Sequence, residues 1–112
     1  MSEMHNECRK YAKRIAEEAE AYYNGITNED GEEVGLYDYF ADALDFEIIL
    51  SSTRTVKAVR LIVALGGPTC WIDTEHGVVI CAWGTDRAEY PIDGDLCDEL
   101  KNIAAEVMGL DY

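Results

Sequence analysis

The sequence has few basic residues, little proline and no long apolar run. Its 112 residues include nine Lys and Arg against 23 Asp and Glu, a formal net charge of −14. No apolar run approaches the roughly 18 residues that a membrane-spanning helix needs. The N-terminal residues are polar where a secretion signal would be apolar, so we expect a cytoplasmic protein with no membrane partner. An acidic surface repels phosphate groups, so no direct nucleic-acid partner is expected either.

Catalytic motifs are also missing. The sequence contains no HExxH, no nucleophile elbow and no glycine-rich phosphate loop. Asp73, Glu75 and His76 lie together at one predicted turn, where they could act as acid and base. Polar residues are, however, typical of any hairpin tip. The sequence therefore predicts a protein that is not an enzyme and that needs no cofactor.

The cysteine and histidine positions do not match a metal site. There is no CxxC, and a single pair, His5 and Cys8, shares a helical face. The four cysteines are widely spaced, each in or beside an apolar pattern: Cys8, Cys70, Cys81 and Cys97. Without an export signal this pattern favours buried thiols over disulfides, and no metal is expected.

Hydrophobic periodicity predicts helices at both ends of one domain, residues 1–112. Apolar residues at three- and four-residue steps predict a helix over 3–24, with Ser2 as N-cap and Gly25 just after its end. Residues 25–35, rich in glycine and acids, predict a surface loop. A second helix is expected over 36–45, and its inner side is predicted to carry Leu36, Phe40, Ala41 and Leu44. The last helix is predicted to begin at Asp95 as N-cap and to end before Gly109.

Between these helices the apolar period changes to that of strands. The β-rich runs are FEIILS, VKAVRLIVAL, CWIDT, VVICAWG and the shorter RAEYPI. Sequential strands usually pair, and helices usually cover one face of such a sheet. We therefore predict an α+β fold, ααββββ(β)α, with a single antiparallel sheet of four to five strands, two N-terminal helices and one C-terminal helix.

The two tryptophans lie on strands joined by the segment TEHG. A three-residue turn would place Trp71 and Trp83 on one face, whereas a turn of two or four residues would separate them. Exposed tryptophans are typical of binding surfaces, and buried ones are typical of a core. The sequence leaves the choice open.

Acidic residues are concentrated in the N-terminal half. Between Ile15 and Thr53 the chain has eleven Asp and Glu and no Lys or Arg. Asp38, Asp42 and Asp45 recur at helical steps, which predicts one shared outer face. Such a density of carboxylates could occupy a basic nucleic-acid groove, but by itself it is more typical of a solvated face that keeps a small protein soluble. Four nearby bases could neutralise part of it: Arg9, Lys10, Lys13 and Arg14.

The central segment carries a family resemblance. Its residues are Val59-Arg60-Leu61, Gly66-Gly67-Pro68, Trp71-Ile72-Asp73-Thr74, Gly77, Trp83-Gly84, Asp86-Arg87-Ala88 and Tyr90-Pro91. This pattern resembles a recurrent group of small acidic proteins, without a settled activity, from phages and mobile elements of Gram-positive bacteria. The resemblance covers a third to a half of the chain. It implies a class that includes inhibitors of host defence, such as anti-CRISPR and anti-restriction proteins, acting in the bacterial host cell.

These observations predict an inhibitory binding protein. It would mimic nucleic acid and block a basic partner, either a CRISPR effector nuclease or a restriction enzyme. The predicted contact residues are Glu29, Asp30, Glu32, Glu33, Asp38 and Asp42, with Trp71 or Trp83 as an apolar anchor. The alternative is a non-catalytic accessory protein of the mobile element that homodimerises through its sheet. A tryptophan-bearing sheet face left uncovered by helices would favour that alternative.

Overall fold

The computed structural model describes residues 3–112, with side chains from Glu7 onward. These residues form three helices and seven strands joined by turns and loops. The helices are α1 (Glu3–Asn24), α2 (Leu36–Ala41) and α3 (Gly94–Met108). The strands are β1 (Ile26–Thr27), β2 (Glu33–Val34), β3 (Asp45–Leu50), β4 (Val56–Ala64), β5 (Thr69–Asp73), β6 (Val78–Trp83) and β7 (Asp86–Pro91). None of these helices is long and apolar enough to cross a bilayer. The N-cap predicted at Ser2 lies outside the described residues.

Strands β3 to β7 form one antiparallel sheet in chain order, because short connections place each strand beside the next. The α+β class is thus confirmed, and the main sheet has five antiparallel strands, within the predicted four to five, but it is not the single sheet that was predicted. Strands β1 and β2 form a separate two-stranded hairpin inside the predicted loop, which the sequence pattern does not reveal.

The core lies between the sheet and the two long helices. Helix α1 packs against β6 and β7, and α3 packs against β4. The α1 residues that face the sheet are mostly small, which lets the helix lie close to the strands: Ala12, Ala16 and Ala19. The sheet and α3 supply the larger buried side chains, among them Leu61, Ile72, Val79, Leu96 and Leu100.

Helix α2 is shorter than predicted. It ends at Ala41, where Asp42 forms its C-cap, and Asp45 already pairs with Ile62 in the sheet. The Leu44 amide donates to the Ile62 carbonyl at 2.9 Å, so pairing with β4 replaces the helical hydrogen bond. The prediction that Ala41 and Leu44 face inward is wrong, because both are exposed.

Helix α3 begins two residues earlier than predicted. Its N-cap is Asp93, whose side chain accepts a hydrogen bond from the Asp95 amide at 3.1 Å. Gly109 ends the helix in the left-handed conformation, as predicted. Both aspartates suit an N-cap, and the backbone of Asp93 is already extended, so the cap falls there.

The turn between β5 and β6 has four residues, because Asp73 pairs directly with Val78. Trp71 therefore lies opposite Ile80, whereas Trp83 shares the face of Cys81. The two tryptophans lie on opposite faces of the sheet. A three-residue turn would have placed them together.

The same register pairs two cysteines. Cys70 and Cys81 lie directly opposite each other on β5 and β6 and form a disulfide on the core side. The prediction of four buried thiols is therefore wrong for this pair. Cys8 and Cys97 are buried and free, as predicted. Sequence spacing carried no information about this pairing, because it depends on the length of the turn.

Candidate functional site

A tight hairpin tip displays four of the predicted contact residues. Asn28 organises the tip, because its side-chain oxygen accepts hydrogen bonds from the amides of Asp30 and Glu32, each at 3.0 Å. Its own amide donates to the Glu32 carbonyl at 2.8 Å. The tip and the strand after it are exposed at the following acids: Glu29, Asp30, Glu32 and Glu33.

The other two predicted contact residues lie on α2 and differ in role. The Asp38 carboxylate accepts the Gly35 amide at 2.9 Å and so caps the first turn of its own helix. Asp42 is exposed at the end of that helix. Because α2 stops at Ala41, the predicted single helical face of Asp38, Asp42 and Asp45 does not form. Asp45 begins β3 instead.

Three of the four basic residues of α1 contact groups outside the acidic stretch, and the fourth, Lys13, is exposed. Arg9 donates to the Glu89 carbonyl at 3.2 Å and lies over the Tyr90 ring. Lys10 lies 3.6 Å from Glu7, and Arg14 lies over the Tyr11 ring. We use "acidic segment" for residues 17–47, which hold all eleven acids noted above. Among the side chains described from Glu7 onward, Glu47 alone in this segment forms an ion pair, with Arg60 at 3.7 Å.

A second candidate surface is the sheet face away from α1 and α3, here called the open face. Side chains alternate along each strand, so the strand register defines its rows. One row runs Glu47–Arg60–Asp73–Val78 across four strands. The next runs Asp45–Ile62–Trp71–Ile80–Glu89 across all five. These rows line a groove of about 700 Å³ with an apolar middle and charged margins.

Trp71 is the largest side chain of this groove. It is half-buried, and the Arg87 guanidinium lies 5.8 Å from its ring centroid. Arg87 also lies 3.6 Å from Glu89, so both arginines of the groove face carboxylates. Trp83 lies instead at the end of β6, where its indole packs against Gly67. A Cβ built on Gly67 would lie only 3.1 Å from the indole nitrogen, so the contact is close. The acidic tip and the two tryptophans thus belong to three different surfaces.

Asp73 is a buried charged residue at the margin of the groove. This residue is 4% exposed, and its carboxylate accepts hydrogen bonds from the Glu75 amide and from His76 Nδ1, each at 2.9 Å. The bond to Asp73 raises the pKa of His76 above its ordinary value. Asp73 therefore holds the imidazole in one orientation at the margin of the groove.

Two kinds of chemistry can be compared with this arrangement. Asp73, Glu75 and His76 place ligand atoms within 4.8 Å of one another, as a metal site requires. Both carboxylate oxygens of Asp73 are already used in the turn, however, and the other two side chains are exposed. For catalysis, the His76–Asp73 pair lacks a nucleophile, because among the described residues that line the groove none is Ser, Thr, Cys or Lys.

Arg60, Arg87 and Glu89 belong to the groove but are not among the predicted site residues. Their alternation along β4 and β7 could have placed them on one face, provided that the turn lengths were known.

No protein-family model, no curated protein and no solved structure matches this chain.

Proposed function

We propose that this chain is an inhibitory binding protein of a phage or mobile element. It acts in the cytoplasm of the bacterial host, where its acidic segment occupies the nucleic-acid groove of a CRISPR effector nuclease or a restriction enzyme. The observation that carries the proposal is the set of exposed carboxylates at the hairpin tip and on α2, which form no ion pair with any side chain described from Glu7 onward. The protein works by binding and performs no catalysis.

Charge spacing supports this assignment and sharpens it. One of the eleven carboxylates of the acidic segment pairs with Arg60, which leaves ten. Projected on the 43 Å long axis of the molecule, ten charges amount to at least one charge per about 4.3 Å, against roughly one per 3.4 Å for one DNA strand and one per 1.7 Å for the duplex. The charge density of the acidic segment is thus of the same order as that of a nucleic-acid backbone.

The proposed compartment is unusual for a disulfide, because cytoplasmic thiols are kept reduced. Both Cys70 and Cys81 are fully buried. Cellular reductants therefore reach the bond only when the chain opens, which makes the disulfide compatible with a cytoplasmic protein.

The test is a capture experiment from host lysate at low salt with a charge-neutralised variant. The substitutions are Glu29→Gln, Asp30→Asn, Glu32→Gln, Glu33→Gln and Asp42→Asn, and they omit Asp38 because its carboxylate caps α2. A control variant neutralises five acids elsewhere: Glu75, Asp86, Asp95, Glu99 and Asp111. We expect the native chain and the control to capture a nucleic-acid-binding enzyme that added DNA displaces, and the first variant to lose it.

Salt dependence gives a second reading of the same proposal. Exposed charges are screened beyond about 8 Å at physiological ionic strength, so affinity should fall steeply as salt is added. Affinity that is unchanged from low to high salt, or equal loss in both variants, would refute the mimic.

The second candidate is a homodimer formed through the open face, and it is favoured by the position of Trp71 in a groove that neither α1 nor α3 covers. The formal charges that line this groove balance once His76 is protonated, because Arg60, Arg87 and His76 then offset Glu47, Asp73 and Glu89. Two copies that each carry −14 repel one another least at such a face. Sedimentation at high concentration should then show a dimer that Trp71→Ala disrupts and Leu65→Ser, a change at an exposed residue outside the groove, preserves. A monomer at every concentration would exclude this candidate.

A further inference from the structure

An apolar cleft of about 320 Å³ opens between α2, the start of β3 and the C-terminal turn of α3. We call it the apolar cleft. Its walls are formed mainly by Tyr37, Phe40, Ala41, Leu44, Phe46 and Val107. Asp45 is the one charged residue among its described lining residues. The cleft therefore offers hydrophobic contact on three sides and a carboxylate at its margin.

The side chains of this cleft are unusually exposed for their size. Leu44 is 58% exposed, Tyr37 54% and Val107 44%. Met108, the next residue on α3, is 53% exposed. Three of the nine large hydrophobic residues that are exposed in the described chain thus lie together in this cleft, and such a cluster is typical of an interaction site.

The position of Leu44 explains how the cluster arises. If α2 continued to residue 45, as its sequence pattern predicts, Leu44 would point inward. The hydrogen bond from its amide to Ile62 instead joins this residue to the sheet and leaves its side chain in solvent. The exposed leucine is thus a consequence of the chain path from α2 into β3.

Charge around the apolar cleft restricts what can occupy it. Asp45 lines the cleft, and three exposed acids adjoin its lining residues in the sequence: Asp38, Asp42 and Glu106. Among the described residues, no Lys or Arg lines the cleft. A second copy of this chain would bring like charges together, and anionic lipid or nucleic acid would be repelled. A basic segment that carries a large apolar side chain satisfies both the apolar walls and the acidic margin.

We propose that the apolar cleft receives an apolar side chain from a basic amphipathic segment of the partner protein, while a neighbouring Lys or Arg residue of that segment meets Asp45. This assignment rests on the proposed function and deepens it, since it names the anchor that accompanies the acidic segment. A buried apolar side chain surrounded by charge contacts is the usual form of an interface hot spot. The apolar contact that this chain contributes is then the wall of the cleft, formed by Leu44, Tyr37 and Val107. It replaces the contact predicted for Trp71 or Trp83.

Two synthetic peptides of equal length and equal lysine content test the proposal. One alternates Lys and Leu with the helical period, and the other replaces every Leu by Ser. Fluorescence anisotropy should show that the Lys/Leu peptide binds the native protein at least about tenfold more tightly, the effect expected for burial of one large apolar side chain. Leu44→Ser should remove this preference, and Val107→Ser should reduce it from the opposite wall.

Leu65→Ser is the matched control, because Leu65 is equally exposed and lies outside the apolar cleft. Equal affinity for the two peptides, or a preference that survives Leu44→Ser, would overturn the proposal. So would a preference that Leu65→Ser removes as completely as Leu44→Ser does.

Failure of this inference is distinguishable from failure of the proposed function. The five-site neutralised variant should bind both peptides more weakly and leave the ratio of their affinities nearly unchanged. If Leu44→Ser removes the preference but DNA does not displace the captured partner, the cleft is correct and the mimic is wrong. If DNA displaces the partner and Leu44→Ser changes neither the capture nor the peptide preference, the mimic is correct and the cleft is wrong.

Discussion

Reduction of the Cys70–Cys81 disulfide is expected to destabilise the native state strongly. The bond links the adjacent strands β5 and β6 at the centre of the sheet, where both cysteines are fully buried. Cys8 and Cys97 remain free. The perturbation is therefore specific, because reductant changes the covalent state of one pair.

The size of the effect follows from the length of the closed loop. The two cysteines are separated by 11 residues along the sequence. The loop-entropy relation then gives about 3 kcal/mol of stabilisation, since it assigns roughly that value to a loop of about 15 residues. Small domains have a total free energy of unfolding of about 5–15 kcal/mol, so the loss is a large fraction of the whole.

Urea denaturation of the same chain, oxidised and after refolding in reductant, measures this difference. With a urea dependence of about 1.5 kcal/mol per molar, the midpoint should fall by about 2 M on reduction. The double variant Cys70→Ala with Cys81→Ala is the control, and its midpoint should not respond to reductant. Alkylation of the unfolded, unreduced chain should modify two thiols, and all four after reduction.

Two results would refute this reasoning. Alkylation of four thiols without reduction would mean that the disulfide does not form. A disulfide that forms but leaves the midpoint unchanged on reduction would mean that the loop-entropy argument fails for this pair.

Three further predictions concern single side chains. NMR titration should find the pKa of His76 above about 6.5, and Asp73→Asn should lower it, because the hydrogen bond to Asp73 is its main cause. Because the pKa is raised in the folded state, protonated His76 stabilises the fold fully below about pH 6.5, and this stabilisation is lost as the pH rises through the folded-state pKa. If the free energy of unfolding had the same pH dependence in Asp73→Asn, the assignment to the Asp73 hydrogen bond would be refuted. Leu61→Ala should cost about 2–5 kcal/mol in denaturation, because Leu61 is fully buried at the sheet–helix interface, and a loss below about 1 kcal/mol would argue against that position. Asp93→Ala should lower the free energy of unfolding by about 1 kcal/mol and Asp95→Ala by clearly less, because Asp93 is the N-cap of α3. A larger loss for Asp95→Ala would mean that Asp95 is the N-cap, as the sequence predicted.

Local patterns in the sequence predicted the helices and strands well where a segment is long. The three- and four-residue steps of α1 and α3 and the β-rich run that forms β4 are properties of neighbouring residues, and the structure agrees with them. Helix α2 is the exception. It is only six residues long, so the pairing of its following segment with β4 overrides its weak helical preference.

The acidic segment could likewise be located by counting charges. What counting could not show is that the bases of α1 bind elsewhere, or that Asp38 is committed to its own helix. Ion pairs and caps depend on the distance between side chains. These distances are set by how α1 and α2 pack, not by composition.

By itself, the sequence determined the class of the fold, the order of its long elements, and a surplus of negative charge in a stretch that contains no Lys or Arg. Each of these depends on residues close together in the chain. Tertiary structure alone decided which face each tryptophan occupies, that Cys70 meets Cys81, and that Leu44 lies in solvent beside Asp45. The physical reason is strand register: a change of one residue in a turn reverses every side chain that follows, and that choice is made by packing across the whole sheet.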